Sequence, residues 1–160
     1  MRHPKALLTA GLLALAAVAA PGPAEAKGDK LLLQDLVAEG VEPHEASALS
    51  TAACNALAKS DKHEVLCGDD LRNMMRFGAL AASFDGCADE ACYAGMAKAL
   101  QARFVVSGKV SRLGKVFVLS LSMFDTTTNK PAGRSEIKAS SVEQLHVDAA
   151  EAVSALLTQR

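Results

Sequence analysis

Residues 116–125, VFVLSLSMFD, constrain this chain more than any other stretch, because they alternate. Phe117, Leu119, Leu121 and Met123 fall on one side of an extended strand; Val116, Val118, Ser120 and Ser122 fall on the other. A period of two with one purely apolar set is what a half-buried strand requires, and a helix could not bury it. Just upstream, residues 103–112 carry Phe104, Val105, Val106 and Val110, a second strand with Gly108 in its middle as a bulge or a close approach. Leu113 and Gly114 turn the chain between them, so the two strands must form an antiparallel hairpin. Residues 126–133 (TTTNKPAG) read as a polar turn, and residues 134–140, with Ile137 and Ala139 apolar, as a third strand at the edge of the meander.

The chain before and after this ribbon supplies helices and two short strands. Residues 31–37 form an apolar run fit for a buried strand, which Gly40 breaks. Helical spacing of Ala46, Leu49, Ala53, Ala56 and Leu57 predicts a helix over 44–59, with Pro43 near its first position. HEVLC (63–67) is a second short strand. A helix over 70–82 follows, with Asp69 and Asp70 capping its start, then a helix over 89–102 that buries Tyr93, Met96, Ala97 and Leu100. The last helix, 142–157, carries a stripe of Val142, Leu145, Ala149, Ala152, Val153 and Leu156, with Ser141 as its cap. The order β-α-β-α-α-β-β-β-α predicts an α/β fold of mixed α+β type: a mixed five-stranded sheet with a parallel N-terminal β-α-β unit, a C-terminal antiparallel meander, and helices packed on the sheet.

Residues 1–26 stand apart from this pattern. Arg2 and Lys5 precede the apolar run 6–20, Pro21, Gly22 and Pro23 end it, and Ala24-Glu25-Ala26 is an A-x-A cleavage site. The run is shorter than the roughly 20 residues of a spanning helix, so the expectation is a cleavable signal peptide, export to the periplasm or medium, and no transmembrane segment afterwards. Residues 27–160 then form a single domain with a net charge of about −2. That balance, with no tryptophan and one tyrosine, argues against nucleic acid as a partner.

Export bears on the cysteines, since an oxidising compartment lets them pair. Four cysteines allow three pairings. With Asp89 as a helix cap, Cys92 sits in the first helical turn and Cys87 in the loop before it, so Cys87–Cys92 is the preferred bridge. Cys54 and Cys67 then form a second bridge or remain buried thiols. No C-x2-C or paired histidine supports a metal, and no phosphate-cradling glycine loop or cofactor motif is present. His44, His63 and His146 lack an evident orienting partner and read as isolated, solvent-facing residues. Surface contact therefore leads. The edge formed by Arg134, Ser135, Glu136, Ile137 and Lys138 is the candidate docking strand.

Five segments together carry a resemblance: GCADEAC (86–92), MAKALQA leading to FVVSGKV (104–110), the hairpin RLGKVFVLSLSMFDTTTNK, and the late helix SVEQLHVDAAEAVSALL. They resemble bacterial envelope proteins with a CsgG-like or TolB N-terminal-like α/β domain, of a kind frequent in myxobacteria. The resemblance implies a non-enzymatic domain acting through protein contacts, as in secretion-channel subunits, lipoprotein activators of cell-wall synthases and periplasmic parts of the Tol system. The chain departs from that pattern in having no lipobox cysteine, no β-propeller and no membrane-inserting hairpins. The expectation is an envelope adaptor or structural domain that binds another envelope protein or itself, with no cofactor. Two alternatives are a small-ligand or glycan-binding module, and a thiol/redox or hydrolytic enzyme using Cys92 or His63.

Overall fold

The computed structural model describes residues 28–76 and 90–159. Its elements run β1 (Lys30–Leu33), β2 (Val37–Glu39), α1 (Pro43–Lys59), β3 (Glu64–Leu66), α2 (Gly68–Arg76), α3 (Glu90–Ala99), β4 (Phe104–Leu113), β5 (Val116–Asp125), β6 (Lys130–Ala139) and α4 (Val142–Thr158). The strands form one mixed sheet in the order β3-β1-β4-β5-β6, with β2 also on β4. β1 is parallel to β3 and β4, while β4, β5 and β6 form an antiparallel meander. This is the predicted mixed α/β architecture.

Three details differ from the sequence pattern, each for a local reason. The expected strand over 31–37 is interrupted, so the sheet has six strands instead of five. Leu33 pairs with Val106 and Val37 with Lys109, so four steps on one side match three on β4, and one extra residue leaves the ladder. The amide of Leu36 instead donates to Ser50 Oγ on α1 at 2.9 Å, and Ser50 donates on to the carbonyl of Ala46 at 2.8 Å. The Leu36 side chain settles over Gly108, where a Cβ would stand 2.5 Å from the carbonyl oxygen of Ser120 and 2.8 Å from the Leu36 and Leu121 side chains. Gly108 therefore serves a close approach.

The second difference is at β6, which begins at Lys130, so Lys130 to Gly133 belong to the strand and not to the turn. Pro131 is tolerated because β6 is the last strand of the sheet. Met123 pairs with Gly133 and Phe124 with Pro131, leaving Ala132 as the extra residue of a bulge. Third, α3 ends at Ala99, where the pattern continued to 102; Gln101 takes φ +55 and turns the chain toward β4.

The helices divide between the two faces of the sheet. α1 and α4 cover one face, where Leu49, Leu57, Leu145 and Leu156 meet Val106, Leu119, Leu121 and Met123 in the main core. Their stripes are those expected. Glu45 closes the start of α1 by accepting the amide of Glu42 at 2.9 Å, and Ser141 Oγ accepts the amide of Gln144 at 3.2 Å at the start of α4. On the opposite face α2 and α3 build a smaller cluster, in which Leu71, Met96, Ala97 and Leu100 pack on Leu32 beside Val105. That cluster stops there. Beyond it, among the described residues, the same face exposes Ser107, Lys109, Ser122, Arg134, Glu136 and Lys138, with Ser120 half-buried and Ser111 and Val118 buried.

Candidate interaction surface

The five candidate docking residues lie together on β6, the sheet's terminal strand. Their directions follow from one hydrogen bond. The amide of Arg134 donates to the Gln159 side chain at 3.1 Å, so it points away from β5. Successive residues of an antiparallel strand point their amides alternately to either side. The amides and carbonyls of Ser135 and Ile137 thus serve β5, opposite Leu121 and Leu119, and those of Glu136 and Lys138 point off the sheet. Side chains divide differently. Ser135 and Ile137 lean toward α4, with the Ser135 hydroxyl buried and unpaired, whereas Arg134, Glu136 and Lys138 are exposed on the opposite face. Glu136 and Lys138 form an ion pair along the strand at 3.1 Å, with both side chains more than half exposed.

That exposed face continues inward as a broad concavity of about 1330 Å³ between α3, the β4–β5 ladder and the β5–β6 turn, lined by Lys98, Arg103, Ser107, Ser122, Phe124 and Arg134 among others. Val37 (59% exposed) and Phe124 (38%) are its uncovered apolar surface. Beside it Lys109 pairs with Glu39 at 3.0 Å and Ser111 donates to the same carboxylate at 3.2 Å; the Lys109 ammonium above all holds the Glu39 carboxyl below its ordinary value.

Two charge clusters brace the concavity's ends. Arg103 bonds Asp29 at 2.6 Å and Asp125 at 3.3 Å, and its guanidinium lies 5.1 Å from the centre of the Phe104 ring. Asp125 also accepts the amides of Thr128 at 3.0 Å and Thr127 at 2.8 Å. These amides, Thr128's foremost, together with Arg103 pull its carboxyl below the usual range. At the other end Arg72 on α2 bonds both Asp35, in the interrupted strand, and Asp69 at 2.7 Å. Asp70 accepts the amide of Cys67 at 2.9 Å, the capping role read for this acidic pair, while Asp69 serves Arg72. All of these partners are internal, so the clusters are braces for the fold.

Cys54 and Cys67 are bonded to each other, joining α1 to the end of β3. Asp70 lies close to both sulfurs, but sulfurs joined to each other offer no thiolate to a metal. Cys87 and the Cys92 side chain lie outside the described residues, and with them the preferred Cys87–Cys92 bridge. His63 is not solvent-facing as its sequence context suggested. It is 5% exposed, its Nδ1 lies 2.9 Å from the carbonyl oxygen of Asp29, and its ring meets Phe104 edge-on at 5.3 Å. Nothing in the residues around position 63 signals this, because the lead segment and β4 supply the walls.

Comparison with known proteins places the fold. No model of a known protein family matches the chain, and no curated protein does. Among solved structures, the chain is similar to the PelC dodecamer from Paraburkholderia phytofirmans, with 18% identity and a TM-score of 0.53 over 88% of this chain and 92% of that one. It is also similar to the LpoB C-terminal domain from Escherichia coli, with 18% identity and a TM-score of 0.53 over 75% and 89%. A third is the lipoprotein GNA1162 from Neisseria meningitidis, with 9% identity and a TM-score of 0.54 over 70% and 80%. At these identities the likeness is one of fold.

Proposed function

We propose that this chain is an exported, non-enzymatic domain of the bacterial envelope that acts by docking another protein, a second copy included, on the outer edge of β6. The observation that carries the reading is the edge itself: the backbone groups of Glu136 and Lys138 point off the sheet beside an exposed polar face. An incoming strand would complete the ladder there and find side chains on that face for specificity. The Cys54–Cys67 bond fits an oxidising compartment, as the leader pattern of residues 1–26 does. Fold-level likeness to PelC, a dodecamer, and to the lipoprotein GNA1162 supports an envelope role. The finer kinship, to CsgG-like domains and to myxobacterial proteins, rests on the sequence segments described above.

Within this reading the concavity is the flank of a protein contact. It is open to solvent, only Val37 and Phe124 among its large apolar lining residues are exposed, and Arg103 at its rim is engaged by Asp29 and Asp125. The enzymatic alternative through His63 finds that ring walled between Phe104 and the Asp29 carbonyl.

The test is affinity capture from the native envelope with wild-type protein and with Glu136→Pro. Proline at an outward-pointing edge position removes a docking donor without breaking a backbone bond to β5; of the contacts to β5 it gives up only the exposed 3.4 Å bond from Ser120 Oγ to the Glu136 carboxylate. Retention of a defined partner by wild type and its loss in Glu136→Pro, with unchanged thermal unfolding, is the expected result. Equal retention by both proteins would remove the edge from the reading.

A further inference from the structure

We infer that the β6 edge pairs with the β6 edge of a second copy of this chain, antiparallel about a two-fold axis through Ile137. The inference rests on the edge reading above and names its occupant from charge. Outward amides must meet outward amides, so only registers that oppose residues 134, 136 and 138 to one another are open. Centred on Glu136, the pairing would set Glu136 against itself and Arg134 against Lys138, like charges throughout. Centred on Lys138, it would set Lys138 against itself. Centred on Ser135, it would need the Arg134 amide, which Gln159 already holds, and would meet the bulge at Ala132.

Centred on Ile137, Glu136 lies opposite the second copy's Lys138, and Lys138 opposite the second copy's Glu136. Both pairs are hydrogen-bonded, and each sets opposite charges side by side on the exposed face. The existing Glu136–Lys138 contact within one strand becomes one side of a four-charge square. On the other face the two Ile137 side chains meet as a non-hydrogen-bonded pair, the closer of the two spacings. The interface is isologous, so residue 136 of each copy serves residue 138 of the other.

The register makes a reciprocal test. Glu136→Lys places lysine opposite lysine at both positions, and Lys138→Glu places glutamate opposite glutamate. Each variant alone should dimerise at least about tenfold more weakly than wild type, since two attractive pairs become repulsive. An equimolar mixture of the two variants forms mixed dimers in which both cross-strand pairs again join a lysine to a glutamate. Sedimentation velocity of the exported, oxidised protein from micromolar to millimolar concentration should show a wild-type dimer, two weakened variants and a recovered mixture. The double variant E136K/K138E should dimerise like wild type. As an independent readout, Ile137→Cys should form a disulfide between copies under mild oxidation while Glu136→Cys and Lys138→Cys do not, because only the central pair brings like residues within bridging distance.

A wild type that stays monomeric throughout would overturn the second copy as occupant; the edge reading would still stand if Glu136→Pro loses a captured partner. A dimer indifferent to both charge variants, or a mixture no better than its components, would overturn the register.

Discussion

The two faces of this sheet are built by the same strands, and yet they have different fates. On β5, Leu119, Leu121 and Met123 lie under α1 and α4 at 1% exposure or less, while Ser120, Ser122 and Phe124, one residue away each time, look out the other side. Alternation creates the difference, but helix placement decides how far it goes. α4 runs behind β5 and β6 for 17 residues. On the opposite face α3 ends at Ala99 and its cluster reaches no further than Val105. Among the described residues, one set of helices seals its face, whereas on the other face α2 and α3 cover one end, Val118 and Ser111 are buried toward the far end, and Ser107, Ser122 and Phe124 between them stay exposed.

The sharpest way to break the comparison is to delete matched side chains from each face. Leu121→Ala should cost about 2–5 kcal/mol, and Ser122→Ala less than about 0.5 kcal/mol, by urea unfolding of the oxidised protein. Comparable losses at the two sites would mean that the exposed face is packed after all. Gly108→Ala probes the sealed face from the backbone side. A Cβ there would press on the Ser120 carbonyl and on Leu36 and Leu121, so a loss of about 1–3 kcal/mol is expected in the same assay.

Asp125 tests the rim, where a buried carboxylate ends the apolar row. Its folded-state pKa is lowered, by the amides of Thr128 and Thr127 and then by Arg103. The stability it adds is therefore present above the unfolded-state value and is lost as pH falls through the folded-state one. Asp125→Asn should be less stable than wild type near neutrality, and the gap should close below about pH 4. A gap independent of pH would assign the loss to the amide's poorer fit in the turn.

What could be read in the sequence and what could not divides along the same physical line. β5 was legible because a period of two needs no distant partner to reveal it, and the stripes of α1 and α4 were legible for the same reason. The break after Leu33 was not. Gln34 and Asp35 suit a strand as well as an excursion, and the decision belongs to Ser50 and Arg72, 14 residues beyond Leu36 and 37 beyond Asp35. Pro131 and Gly133 look like turn residues until the strand proves to be an edge with a bulge. His63 looked exposed because its walls come from Asp29 and Phe104. At the candidate surface, residues 134–138 could be identified from the strand pattern, but which amides point outward depended on Gln159, 25 residues from Arg134.

The Cys54–Cys67 bond has a topological consequence. It closes a covalent ring whose 13-residue span contains all of β3, the three-residue strand at the sheet's other end. Strand exchange between copies needs a segment that can be unthreaded from one molecule and laid into another. A strand inside a closed ring is tethered at both ends to its own α1, so β3 cannot be traded while the bond stands. Reduced chains, before they meet an oxidant, have no such tether. Oxidation thus acts as a ratchet that holds β3 to its own molecule, whereas β6 lies outside that ring.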